Sequence, residues 1–199
     1  MRLDRTLDDM KYRKKLADNL MPAPTKGKLE QVLIFIRPPK NLEGPAKEFL
    51  LTVLEPGKFD VSDSFFEKDK QSLHVLARVK RPKAPADKKK AAAPPEPTNR
   101  GEFVPDVFAV LNAVYGVELD PAKAKEESKK SNRFKHLTFE GNNKVVQLYL
   151  YGAKNSPYEV ALVYETPKGA PVSTSKLDLC LQSFAVGERA RRSFTGSVS

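Results

Sequence analysis

Between Val79 and Arg100 the chain reads VKRPKAPADKKKAAAPPEPTNR. Its prolines carry no amide donor and restrict the residue before each of them, so a central strand or a long helix is disfavoured. Its lysines repel one another, and it offers almost no apolar side chain to bury. Residues 81–100 are therefore expected to form a mobile surface linker. The 199-residue length suits one domain or two small ones. We read a single domain built from two halves, about 1–80 and 101–190, with residues 191–199 as a loose tail.

The strip also carries much of the charge. The chain has 35 basic and 25 acidic residues, a net of +10. Residues 79–100 supply a net of +5, and residues 121–136 a further +4. The remainder is nearly neutral, so the cationic character is concentrated in two connecting segments. Lysines there gain affinity for polyanions by releasing condensed counterions. The candidate contacts are Lys80, Arg81, Lys83, Lys88, Lys89 and Lys90, with Lys129, Lys130 and Arg133 from the second segment. A solvated tether accounts for the same composition, because no aromatic residue interleaves with the lysines of the strip.

Periodicity locates the elements. Leu7, Met10, Leu16 and Leu20 recur near helical spacing over 4–20. LEQVLIFI (29–36) reads as a buried strand, EFLLTVL (48–54) as a strand closed by Pro56-Gly57, and SLHVLARVK (72–80) as a half-exposed strand. FDVSDSFFE (59–67) reads as a turn in which Asp60 and Asp63 bond nearby backbone. PDVFAVLNAVYG (105–116) has proline at a helix start, an apolar stripe and a glycine stop. Asp120-Pro121 is expected to open a short, exposed helix through Lys130. Residues 134–165 divide into three strands joined by tight turns. STSKLDLCLQSFAVG (173–187) reads as a helix capped by Ser175 and ended by Gly187. Strands joined by short turns pair antiparallel, and the helices need faces to cover. The expected fold is α+β: an antiparallel sheet of about six strands with helices on both faces, an α/β/α sandwich.

Several chemistries lack their signatures. The ten glycines are never closer than nine residues apart. Dinucleotide fingerprints, phosphate loops and nucleophile elbows need glycines within about five positions. The only histidines, His74 and His136, fit no metal-binding spacing. Both are read as exposed or hydrogen-bonded imidazoles, and no serine is singled out as a triad member. Cys180 excludes an intramolecular disulfide and reads as a small core residue. Tyr149, Tyr151, Tyr158 and Tyr164 could stack bases if they shared an open face, but a helix covering them as core is the preferred reading. No catalytic residue, metal ligand or cofactor is assigned. No apolar run approaches the roughly 20 residues of a membrane span, and the charged N-terminus is unlike a secretory signal. A cytoplasmic location is expected, or export if a signal precedes this chain.

The hairpins containing YEVALVYE and the helix SKLDLCLQSFAVG resemble, in element order over about residues 103–187, the α/β/α sandwich of the PsbP-like fold family. The resemblance implies a non-catalytic accessory or partner-binding domain and transfers no site residue. A substantial expected core together with no recognisable catalytic signature makes the leading functional expectation a non-enzymatic accessory or scaffold domain that binds another protein. Polyanion or nucleic-acid binding through the basic segments is the alternative, and an uncharacterised hydrolase a distant third.

Overall fold

Alternating β-branched and aromatic residues build the centre of the protein. In the computed structural model, which describes residues 2–23, 26–46, 57–68, 70–80, 100–152, 156–170 and 174–196, these residues form a seven-stranded sheet. Its strands are β2 (Glu43–Ala46), β3 (Val61–Glu67), β4 (Gln71–Val79), β5 (Lys125–Lys129), β6 (Asn132–Gly141), β7 (Lys144–Tyr151) and β8 (Tyr158–Pro167). They lie in the order β2-β3-β4-β8-β7-β6-β5, and every neighbouring pair is antiparallel. The join between the two halves of the chain is central: β4 pairs with β8 along its length, from Ser72 opposite Glu165 to Val79 opposite Tyr158. Asn142 and Asn143, at φ of 47° and 60°, make the two-residue turn between β6 and β7. Asparagine tolerates this left-handed region better than most side chains, and such turns match the twist of the strands they join.

Among the described residues five helices accompany the sheet: α1 (Arg2–Asn19), α2 (Lys28–Gln31), α3 (Phe103–Tyr115), α4 (Thr174–Ser183) and α5 (Glu188–Gly196). On one face, Leu73, Val75 and Ala77 of β4 and Leu162 and Tyr164 of β8 share a core with Leu177, Cys180 and Leu181 of α4. The opposite layer sets Leu76, Leu148 and Val163 against Val107, Phe108 and Leu111 of α3. Helices thus cover both faces, as expected for α+β. Gly116 ends α3 at φ 64°, returning its amide to Asn112 O.

Several local expectations are corrected. Residues 29–36 form the short helix α2 and the two-residue strand β1 (Ile34–Phe35), which pairs with β9 (Ala185–Val186) in a separate small sheet. Val61–Glu67 is a full strand, because β4 supplies partners for its backbone. β4 is buried on both faces, since α3 covers the side carrying His74 and Leu76. A 3-10 turn at Pro121–Lys123 is followed by strand β5, so no helix runs to Lys130. α4 stops at Ser183, ahead of β9 and Gly187. Residues 191–196 belong to α5, which buries Ala190 and Phe194, and the Phe194 ring meets Phe35 edge-on at 5.1 Å. The expected strand at 48–54 and the linker at 81–99 lie outside the described residues.

Candidate functional site

α5 positions a cationic surface that includes Arg189 and Arg192. Gly187, at φ 60°, turns the chain from β9 into α5 and donates its amide to Leu33 O at 2.9 Å. Ala190 and Phe194, four residues apart, share the docked side of the helix, leaving Arg189 and Arg192 exposed beside a groove. The groove encloses about 520 Å³ between α1, the β5–β6 turn and α5. α1 contributes Asp9, Tyr12, Arg13 and Leu16; the turn contributes Lys130 and Ser131. Phe184 and Phe35 form its floor, with Arg37 beside them.

These cations are held mainly by groups other than carboxylates. Arg189 donates to Ser131 Oγ at 2.7 Å and to Asn132 Oδ1 at 3.3 Å. Asn132 is itself buried and donates to Leu181 O and Phe184 O at 3.2 and 2.7 Å, fixing the end of α4 to the start of β6. The Lys130 ammonium lies 4.0 Å from the centroid of Tyr12, a cation–π contact. Arg37 donates to Met21 O and Leu20 O, and burial lowers its pKa from the ordinary value. Among the described residues, the only ion pair in this set is Arg192 with Glu188, at 3.9 Å. Five cations therefore face one carboxylate, Asp9, in the groove lining.

Several acids elsewhere are paired. Asp106 binds Arg78 at 2.6 Å and Lys58 at 3.1 Å; Asp60 binds Arg100 at 2.8 Å. Lys129 is committed to Asp178 at 2.6 Å and Glu127 at 2.7 Å, and Lys80 pairs with Glu159 at 2.8 Å. Of the cations nominated from sequence that lie among the described residues, Lys130 alone lines the α5 groove. Arg133 lines a different groove with Lys135, Leu150 and Tyr151, of about 630 Å³. Arg81, Lys83, Lys88, Lys89 and Lys90 lie outside the described residues. The tyrosines all lie on the α4 side of the sheet: Tyr149 and Tyr164 are buried, and Tyr151 and Tyr158 are half-buried against the same layer.

A second cluster was hidden from sequence reasoning. Ser64 Oγ lies 2.9 Å from His74 Nδ1, and His74 Nε2 lies 3.6 Å from Glu165 Oε1. Glu165 also accepts from Tyr115 Oη at 2.7 Å and from Lys144 Nζ at 2.5 Å. An ionised carboxylate only accepts, so the consistent tautomer places the imidazole proton on Nε2 and lets Ser64 donate to Nδ1. Burial lowers the His74 pKa. Burial pushes the Glu165 carboxyl upward, but the donors around it outweigh that and hold it below its ordinary range. Serine, histidine and glutamate here have the composition of a nucleophilic triad. Ser64, His74 and Glu165 are only 1%, 0% and 3% exposed, so in this arrangement the cluster ties β3, β4 and β8 to α3 without meeting solvent.

His136 stands apart, on the other side of the sheet. It stacks on Tyr149 at 4.3 Å between ring centroids and lies 2.9 Å from Glu127 Oε2 through Nδ1. Its pKa is lowered by burial. Among the described residues no three histidine, cysteine or carboxylate side chains come together as a metal-binding set. No described helix is long and apolar enough to cross a membrane.

The residues missed from sequence are Arg13, Arg37, Arg189 and Arg192, with Asn132 as their support. A signal for α5 was present, since Ala190 and Phe194 have helical spacing within a basic segment. No family model matches the chain, and no curated protein matches it. Solved structures that are similar in part include two proteins. One is a protein of Bacteroides thetaiotaomicron, with a TM-score of 0.44 and 10% identity over 78% of this chain. This chain spans 46% of that protein's length. The other is the Saccharomyces cerevisiae Ran-binding protein Mog1p, with a TM-score of 0.40 and 8% identity, covering 77% of this chain and 90% of that one. Neither likeness assigns this chain to a family, the PsbP-like family included, or gives it a function.

Proposed function

We propose that this protein is a non-enzymatic accessory or scaffold domain that binds another protein through the groove framed by α1 and α5. The observation that carries this reading is the contrast between a groove whose cations, Arg192 beside Glu188 excepted, have no ion pair among the described residues and an interior whose polar groups bind one another. Arginine and aromatic side chains side by side are the composition that protein interfaces favour, because one group supplies directional hydrogen bonds and the other area. Arg13, Arg189 and Arg192 supply the first, and half-buried Tyr12 and Leu16 the second.

A photo-crosslinker at Gln182, on the groove wall, tests the proposal in native extract. A control crosslinker belongs at exposed Lys168, whose amide donates to Asn143 O beside the opposite end of β6. A discrete protein adduct at Gln182 and none at Lys168 is expected. Equal trapping at both sites, or no adduct from a protein that shows measurable turnover, would remove the proposal.

A further inference from the structure

Resting on that protein-binding reading, we infer that the groove's ligand is an acidic peptide segment carrying an apolar residue among its carboxylates. The charge of the lining selects an anion. A guanidinium presents its donors as a planar fork that matches a carboxylate, and a pre-oriented fork loses less freedom on binding. Arg189 is oriented in this way by Ser131 and Asn132, while Lys130 is held above Tyr12. Arg13 and exposed Arg192 approach from the two flanking helices.

The apolar component is selected by the wall between these cations. Tyr12 and Leu16 are half-buried, and Phe184 closes the floor beneath them. A phosphate backbone makes little use of such a surface, whereas an aliphatic or aromatic side chain does.

A nucleic acid would instead require a continuous basic track along which to release counterions. The described surface interrupts one. Lys129 is spent on Glu127 and Asp178, Lys80 on Glu159, and Arg133 belongs to another groove. Asp9 places a negative charge on the lining itself. A peptide tolerates that carboxylate because its own backbone amides can donate to it.

The test is a heteronuclear NMR titration of the full chain at physiological salt. The probe is the capped peptide Asp-Glu-Leu-Glu-Asp, with its Asn/Gln counterpart and an oligothymidylate as comparisons. The acidic peptide should shift the side-chain Nε resonances of Arg13, Arg189 and Arg192 in a saturable manner, and the amide peptide should not. Arg189→Glu/Arg192→Glu should weaken binding at least about tenfold, equivalent to about 1.4 kcal/mol. Lys130→Asn is a second variant that keeps a residue suited to φ 57° and should weaken binding in the same direction. Both variants must retain the backbone spectrum of the parent away from the groove. Absence of these shifts, or equal binding of the amide peptide, overturns the inference. Stronger displacement of the same resonances by oligothymidylate overturns it in favour of a nucleic-acid site. If the Gln182 adduct still forms when the acidic peptide fails, the acidic ligand is wrong and the protein-binding reading survives.

Discussion

Arg100 donates to Asp60 Oδ1 at 2.8 Å, and the backbone amide of Val79 donates to Oδ2 of the same carboxylate at 2.9 Å. One side chain thus pins both ends of the proline- and lysine-rich strip, and the Lys80 amide donates a further hydrogen bond to Pro157 O at 2.7 Å. With its ends anchored independently, the strip is not needed to bring β4 and α3 together. Deleting residues 83–98 should raise stability by no more than about 2 kcal/mol, because a shorter loop costs less to close and closure entropy changes by only about 0.6 kcal/mol per halving of its length. Urea unfolding checks this; a loss above about 2 kcal/mol would mean that the strip packs on the fold.

Tyr115→Phe removes the Tyr115 Oη donor from Glu165 while keeping the ring against Phe139. Glu165 is buried, and a charged acceptor deprived of one donor costs about 1.5–3 kcal/mol. Equilibrium denaturation should show that loss at an unchanged dependence on denaturant. A cost below about 0.5 kcal/mol would mean that water replaces the hydroxyl.

Acid should destabilise the protein in two stages. His74 is shifted below its ordinary value of 6.5 by burial, so the unfolded chain takes up that proton first. Stability is therefore lost as pH falls below about 6.5. The Glu165 carboxyl is held below its ordinary value of 4.5, so the unfolded chain is again protonated first and a second decline begins near that pH. Unfolding midpoints measured across this range should show both stages. His74→Gln should flatten the upper one, leaving only the share contributed by His136, whose pKa is also lowered by burial. An unchanged upper slope would show that His74 does not remain neutral in the folded protein.

Phe194→Ala should cost about 3 kcal/mol or release α5 altogether, since truncating a buried phenylalanine loses both transfer energy and packing. Amide exchange distinguishes the two results: accelerated exchange confined to 188–196 indicates local detachment. If neither stability nor exchange changes, α5 is not docked through Phe194.

Cys180 should resist alkylation by iodoacetamide in the native protein and react once unfolded. It is fully buried, and desolvation raises its thiol pKa well above the ordinary value, suppressing the reactive thiolate. Rapid native labelling at neutral pH would contradict this burial.

Sequence alone determined the elements whose local pattern reports their burial. α3 was legible from Pro105, its apolar stripe and Gly116, and the β6–β7–β8 meander from alternation around tight turns. β5 was not legible, because KEESK has no apolar face and owes its extended form to the backbone of β6. α5 was obscured because its docking surface consists of only Ala190 and Phe194, and the aromatic partner Phe35 lies far away in the chain. The groove and the Ser64–His74–Glu165 cluster were decided by tertiary structure: periodicity says which face of an element is buried, while register and packing choose the distant polar groups that meet there. Asn132 illustrates the limit, since a single asparagine at a turn gives no local sign that it reaches two carbonyls at the end of α4 and steadies Arg189.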